Sequence, residues 1–124
     1  MLVQSTAWVG AGGAVIAEPI PDEALVVRGG RNRPADIVRG TATHPSGVTG
    51  VSVECAVGVS VAELARAIPH GQIGVTTVGA VRQLRGDVVR TAGRSFYHAT
   101  ITGLTPEQIS GLLLPTIPNP TQEA

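Results

Sequence analysis

The sequence is poor in aromatic residues, has a single cysteine and contains no lysine. Trp8, Phe96 and Tyr97 are the only aromatic residues among 124, or 2%. A core must therefore be built mainly from Val, Ile, Leu and Ala. Nucleic-acid modules that stack bases on aromatic platforms need more such rings, so this class is disfavoured. Because all nine basic residues are arginine, no lysine Schiff base or lysine general base is available.

The lone cysteine and the balanced charge exclude further classes. Cys55 has no partner for an internal disulfide, and a cysteine-based zinc site is disfavoured. Its apolar surroundings, "GVSVECAVG", predict a buried, inert thiol. The three histidines are too scattered to indicate a metal site by spacing, so no metal is expected. Nine basic and nine acidic residues give no net positive field to hold nucleic acid.

Length and composition predict one folded domain. A chain of 124 residues with 43% hydrophobic residues is long enough for one core. The N-terminus lacks the basic start and continuous apolar run of a secretory signal, and no stretch is long enough to span a membrane. We therefore expect a cytoplasmic protein, or one delivered into the cytoplasm of a target cell. Residues 1–124 are predicted to form a single domain, with a flexible leader at 1–20 and an extended proline-rich tail at 115–124.

Apolar patterns predict the secondary structure. Strand patterns cover residues 24–28, "VTGVSVECAV", "QIGVTT", 87–91 and "FYHATITGL", with a further irregular strand around 14–17. Helices are predicted at "SVAELARAI", capped by Ser60, and at "TPEQISGLLL", capped by Thr105. Residues 29–47 are predicted to form a long loop with one helical turn at 35–39. The fold class is thus α+β, a small twisted, mainly antiparallel sheet of five or six short strands with two helices.

Three polar residues stand out in apolar strand settings: Arg28, Ser52 and His98. An arginine at the end of a buried strand needs a partner for its guanidinium. Gly29 and Gly30 follow it and permit close approach of another molecule. An arginine fork can bind a diphosphate or a ribose, and a histidine can act as a base near neutral pH. The pattern therefore predicts a pocket for an anionic ligand at Arg28.

The motifs "VVRGG", "GVSV" and "YHATI" together resemble small bacterial effector toxins, including type VI secretion toxins with a mono-ADP-ribosyltransferase-like fold. The resemblance spans roughly Leu25 to Thr102. In that family an arginine on the first core strand and a serine-containing strand frame the nicotinamide–ribose pocket. The resemblance implies catalytic roles for Arg28, Ser52 and His98, and NAD as the substrate. The residues it places around the dinucleotide are Gly29, Gly30, His44, Tyr97 and Thr100. It also implies a neutralising antitoxin or immunity protein.

One feature departs from this family. Most transferases of that fold carry a late glutamate that steadies the developing ribosyl cation. The glutamates after Ser52 are Glu54, Glu63, Glu107 and Glu123, and none lies in a late strand motif. Glu54 shares a strand face with Ser52 but comes early in the chain.

Two other functions stay open from the sequence. A metal-independent ribonuclease toxin, with RNA as its partner, would use His44 or His98 with Arg28 or Arg94 and Thr100. A non-catalytic binding or dimerising module would use residues 105–114, because "ISGLLLP" holds more large aliphatic residues than one helical face needs. A membrane partner is not expected.

Overall fold

The computed structural model describes residues 19–122 and, before them, the backbone of two short strands. These strands, β1 (Ala7–Val9) and β2 (Val15–Ala17), pair antiparallel with each other. The strand expected around residues 14–17 is therefore present as β2. Residues 1–6, 10–14 and 18 of the predicted leader lie outside the described residues, as do residues 123–124 of the predicted tail. Ile20, the last residue of that leader, is buried in the core.

The part of the chain from residue 19 to 122 forms seven further strands and four helices. In order these are β3 (Leu25–Gly29), α1 (Pro34–Gly40), β4 (Ala42–Thr43), β5 (Thr49–Ala56), α2 (Val61–Ala65), β6 (Gln72–Thr77), α3 (Val78–Gln83), β7 (Asp87–Arg90), β8 (His98–Thr102), α4 (Pro106–Leu113) and β9 (Ile117–Pro118). The predicted α+β class is confirmed. The predicted two helices were too few, because α1 and α3 are short and lack a clear apolar period; α1 covers the single helical turn expected at 35–39. The predicted five or six strands were also too few, because the two-residue strands β4 and β9 join a sheet of seven.

The seven strands form one antiparallel sheet. Its order is β7–β8–β5–β3–β6–β9, with β4 paired to the start of β5. Side chains alternate between its two faces along each strand. On β5, Val51, Val53 and Cys55 are buried on one face, so Ser52 and Glu54 point to the other.

Helices cover the two faces unequally. On the first face, α1, α3 and α4 contribute Ile37, Val81, Ile109 and Leu113 to the larger core. On the second face, α2 and the turn after it form a smaller core over β3 and β6; its buried members are Val27, Leu64, Ala65, Ile68 and Ile73. The polar side chains of β5 and β8 lie on this second face, beside α2.

The predicted caps of α2 and α4 are confirmed. The Ser60 hydroxyl accepts a hydrogen bond from the Glu63 amide at 3.0 Å. At α4, the Gln108 amide donates to the Thr105 hydroxyl at 3.1 Å, and the Gln108 side-chain oxygen accepts from the Thr105 amide at 2.9 Å. Helix α2 ends at Ala65 rather than continuing to Ile68, whose amide instead donates to the Ala65 carbonyl in a following turn.

Helix α1 lies where a loop with one helical turn was expected. Its first turn is held by Asp36, which accepts from the Arg33 amide at 3.0 Å and from Arg33 Nε at 2.8 Å. Arg39 forms a second ion pair with the same carboxylate. Ile37 is the buried residue of this helix. One apolar anchor and an ion cluster thus form a helix without an amphipathic sequence pattern.

Asp36 makes a pH-dependent contribution to this helix. The Arg33 side chain lowers the pKa of Asp36 from its usual 3.8 to about 2. Because the folded-state pKa is depressed, the stabilisation is present above about pH 4 and is lost as pH falls through about 2. Asp36→Asn should therefore lower the free energy of unfolding at pH 7 but not near pH 2, measured by urea titration. Glu23→Gln, in an exposed turn, is the control. An equal loss at both pH values would contradict this account.

Helix α4 uses its apolar residues mostly within the chain. Ile109 and Leu113 are buried in the larger core, and Leu112 packs against it. Leu114, after the helix, is 41% exposed. The long aliphatic run that suggested an interface at residues 105–114 therefore has an intramolecular use, and dimerisation through it stays a prediction.

Truncation of Leu113 tests this packing. Leu113→Ala removes a side chain that is 1% exposed and should cost about 2–5 kcal/mol of unfolding free energy, because it leaves a cavity. Leu84→Ala makes the same change at a residue that is 40% exposed and should cost much less. Comparable losses in the two variants, measured by chemical denaturation, would be inconsistent with the structure.

Candidate functional site

The three strands that carry the sequence motifs are neighbours in the sheet. Arg28 lies on β3, Ser52 on β5 and His98 on β8, in the spatial order β8–β5–β3. Across the sheet, Ser52 is the partner of Thr100, and Glu54 is the partner of His98 on one side and of Val27 on the other. Ser52 and Thr100, and likewise Glu54 and His98, are more than 40 positions apart in the sequence but are neighbours in the sheet.

A cleft opens where β3 and β5 separate. Their pairing covers only Leu25–Val27 against Glu54–Ala56. Strand β3 nevertheless continues to Gly29 along β6, and β5 is paired with β8 from Val51. Beyond Val27 and Glu54 the two strands are therefore no longer joined by a ladder. A cavity of about 160 Å³ lies at this point; its polar lining comes from Arg28, Ser52, Glu54 and His70.

Arg28 crosses the gap between the two strands. Its Nη1 donates to the Ser52 carbonyl at 2.7 Å. Its Nη2 packs against Gly40 at the end of α1, where a Cβ atom would displace the guanidinium. Burial lowers the pKa of the Arg28 guanidinium, and the nearby Asp36 partly offsets this. The expected partner for this arginine thus exists, but it is the backbone of Ser52 and not its hydroxyl.

Two buried polar atoms of the cleft residues have no hydrogen-bond partner within residues 19–122. They are Arg28 Nε, a donor, and Glu54 Oε1, an acceptor. Leaving a buried polar atom unpaired costs about 1–3 kcal/mol, and such atoms in native proteins require an explanation. Sequence reasoning gave Glu54 no role; a carboxylate within a run of valines was the available signal.

The loop between α2 and β6 closes over Gly29. A Cβ at Gly29 would collide with Ile68 and with the ring of His70. The close approach predicted at this glycine is present, but the approaching group belongs to the protein itself. Gly30, with φ of 98°, forms the turn after β3. In this turn the buried Asn32 donates to the carbonyls of Arg28 and Gly30 at 3.0 and 3.3 Å.

His98 lies beside the cleft with one ring nitrogen unbonded. Its Nδ1 is 3.1 Å from the Thr91 carbonyl and 2.9 Å from the Thr91 hydroxyl. Because a carbonyl only accepts, the hydrogen-bond pattern assigns the proton to Nδ1 and the lone pair to Nε2. Nε2 has no partner in the described part of the chain. The Thr91 hydroxyl also bonds the buried Thr100 hydroxyl at 2.9 Å.

His44 is near His98 but its nitrogens are occupied. The two ring centroids are 6.3 Å apart. His44 Nε2 bonds the Ala92 carbonyl at 2.9 Å, and Nδ1 bonds the Ser46 amide at 3.0 Å and hydroxyl at 2.8 Å. A ligand or substrate would have to displace one of these bonds. His44 therefore anchors the turn after β4 against the loop after β7.

The predicted site residues fall into four places. Arg28, Gly29 and Ser52 line the cleft. His98, Thr100 and His44 form the neighbouring polar cluster, and Gly30 lies in the turn after β3. Tyr97 instead packs beside the smaller core and lines a separate groove. The residues that sequence reasoning left out of the site are Glu54 and His70.

Cys55 is buried, as its sequence setting predicted. Burial raises the pKa of its thiol to about 11, so the reactive thiolate is scarce near neutral pH. Iodoacetamide at pH 8 should therefore label the native protein far more slowly than the urea-unfolded protein, as followed by mass spectrometry. Equal labelling rates would show that the thiol is accessible.

No family model, curated protein or solved structure matches this chain. Within the described residues no helix has the length and apolar character to cross a membrane. Over the same residues no three His, Cys, Asp or Glu side chains group as metal ligands would. The cleft and its neighbouring polar cluster are therefore the features of this molecule that bear on its function.

Proposed function

We propose that the cleft between β3 and β5 binds the nicotinamide–ribose end of NAD, and that the protein is an ADP-ribosyltransferase-like toxin domain. The observation that carries the proposal is the cleft itself. It opens between the strands that bear Arg28 and Ser52, and two buried polar atoms of its lining residues have no partner within residues 19–122.

The chemistry of the lining suits this ligand. Arg28 lines the cleft and brings a positive charge to it, which favours a carbonyl or a phosphate oxygen. Glu54 offers an unpaired carboxylate oxygen, which favours a hydroxyl or amide donor. The Ser52 side chain is exposed at the cleft and can orient a ribose. A ligand with both donors and acceptors, such as a nicotinamide riboside group, meets these requirements together.

The size of the cleft restricts what it holds. A volume of about 160 Å³ is below the range of about 300–1,000 Å³ usual for ligand pockets. One end of a dinucleotide fits this space, and the remainder must lie along the adjoining surface.

Transfer of ADP-ribose assigns a role to each neighbouring group. The C1′–N bond to nicotinamide breaks, nicotinamide leaves with the bonding pair, and an acceptor nucleophile forms the new bond to C1′. His98 Nε2 has the free lone pair required to take the proton of that nucleophile. The Glu54 carboxylate supplies negative charge beside the developing ribosyl cation. A domain with this activity is harmful to its host, so a neutralising partner protein is part of the proposal.

Thermal unfolding with millimolar NAD tests the site. A ligand that binds only the native state raises the melting temperature. We expect a rise for wild type that is lost in Ser52→Ala and Arg28→Ala, and retained in Arg66→Ala, which alters an exposed arginine outside the cleft lining. Ser52→Ala keeps the test valid if Arg28→Ala does not fold. No rise in wild type, or equal rises in the cleft variants, would sink the proposal.

Three further variants separate the other two functions. Cleavage of RNA without NAD, lost in His98→Ala or His44→Ala, would identify a ribonuclease instead. Loss of self-association in Leu114→Asp, with no effect of any cleft variant, would identify a dimerising module.

A further inference from the structure

A second and larger cavity lies at the end of β5. It is a groove of about 880 Å³, within the usual range for small-molecule sites. Residues 19–21, the turn after β5 and the loop between β7 and β8 surround it. Most of its lining is apolar and includes Ile20, Ala56, Val57, Val59, Phe96 and Tyr97. Such a surface suits a flat, largely apolar group.

Phe96 leaves an aromatic ring uncovered at this groove. Its side chain is 92% exposed, and Tyr97 meets it edge-on, with ring centroids 5.7 Å apart and an interplanar angle of 77°. An aromatic ring packed edge-to-face on one neighbour keeps a face free for stacking. A nucleobase stacks on such a ring whatever its identity, because every base has a π-face.

The loop that carries Phe96 is fixed in place by Arg90. The Arg90 Nη1 donates to the carbonyls of Cys55, Tyr97 and His98 at 2.8, 2.9 and 3.3 Å. These bonds tie the loop to the end of β5. The backbone beside Phe96 is thereby held before any ligand arrives, which lowers the entropic cost of binding.

The groove adjoins the cleft along the same face of the sheet. Glu54 lines the cleft and Ala56 lines the groove, and two residues of one strand span about 7 Å. Thr91 of the groove bonds His98, which lies opposite Glu54 on the neighbouring strand. A ligand that leaves the small cleft over Glu54 and His98 therefore reaches Phe96 and Tyr97.

We propose that this groove binds the adenine end of the dinucleotide, with the base stacked on Phe96. The assignment rests on the proposed function, because it places the part of NAD that the cleft has no room for. Neither cavity alone accommodates both ends in chemically suitable surroundings: the cleft is small and polar, the groove wide and apolar.

Three ligands and three variants test the assignment by thermal unfolding of the full chain. The ligands are NAD, nicotinamide mononucleotide and AMP. Phe96→Ala should weaken NAD and AMP about tenfold, in line with the loss of one stacking contact, and leave nicotinamide mononucleotide unchanged. Phe96→Trp should restore the binding of both adenine ligands. Leu84→Ala, at another exposed apolar residue, should change none of the three.

The outcomes distinguish the two proposals. Unchanged NAD and AMP binding in Phe96→Ala overturns the groove assignment while the cleft proposal stands. Equal weakening of all three ligands also overturns it, because the effect is then not confined to the adenine end. Binding of AMP with no binding of nicotinamide mononucleotide supports the groove as a nucleotide site and refutes the cleft. No binding of any ligand overturns both.

Discussion

The hydrogen bond from Arg28 to the Ser52 carbonyl is the contact on which the site depends. Strands β3 and β5 lose their ladder beyond Val27 and Glu54, and the guanidinium takes the place of the missing backbone donor. A buried cation is tolerated there because it has a carbonyl partner and the nearby Asp36 charge. The sheet therefore stays continuous at one end of this strand pair while it opens at the other.

Much of this fold follows from local sequence signals. Alternation predicted that Ser52 and Glu54 share a face of β5, and the burial of Val51, Val53 and Cys55 on the other face agrees with it. That these side chains lie beside Thr100 and His98 of β8 follows only from the register of the two strands. The caps at Ser60 and Thr105 marked where two helices begin. Helix α1 was predicted only as one helical turn at 35–39, because its first turn depends on ion pairs to Asp36 and its core contact on Ile37 alone. Ionic contacts of that kind leave no periodic pattern.

The geometry of the site was less accessible from the sequence. The pattern identified Arg28, Ser52 and His98 but not how far the pairing of β3 with β5 extends, because register and ladder length depend on packing over both sheet faces. Glu54 illustrates the difficulty. Its position on the strand was evident, whereas its unpaired, buried oxygen follows only from the strand separation and from the loop that covers it. His70 reaches the cleft through a turn that no local signal placed there.

The absent side chain at Gly29 has a consequence for the shape of the cleft. The ring of His70 occupies the volume that any larger residue on β3 would need. The loop between α2 and β6 can therefore lie directly against β3 at this point, where it narrows the cleft beside Arg28. An alanine at residue 29 would have to displace the ends of the Ile68 and His70 side chains. The distance between this loop and the strand thus depends on the absence of a side chain at a single position.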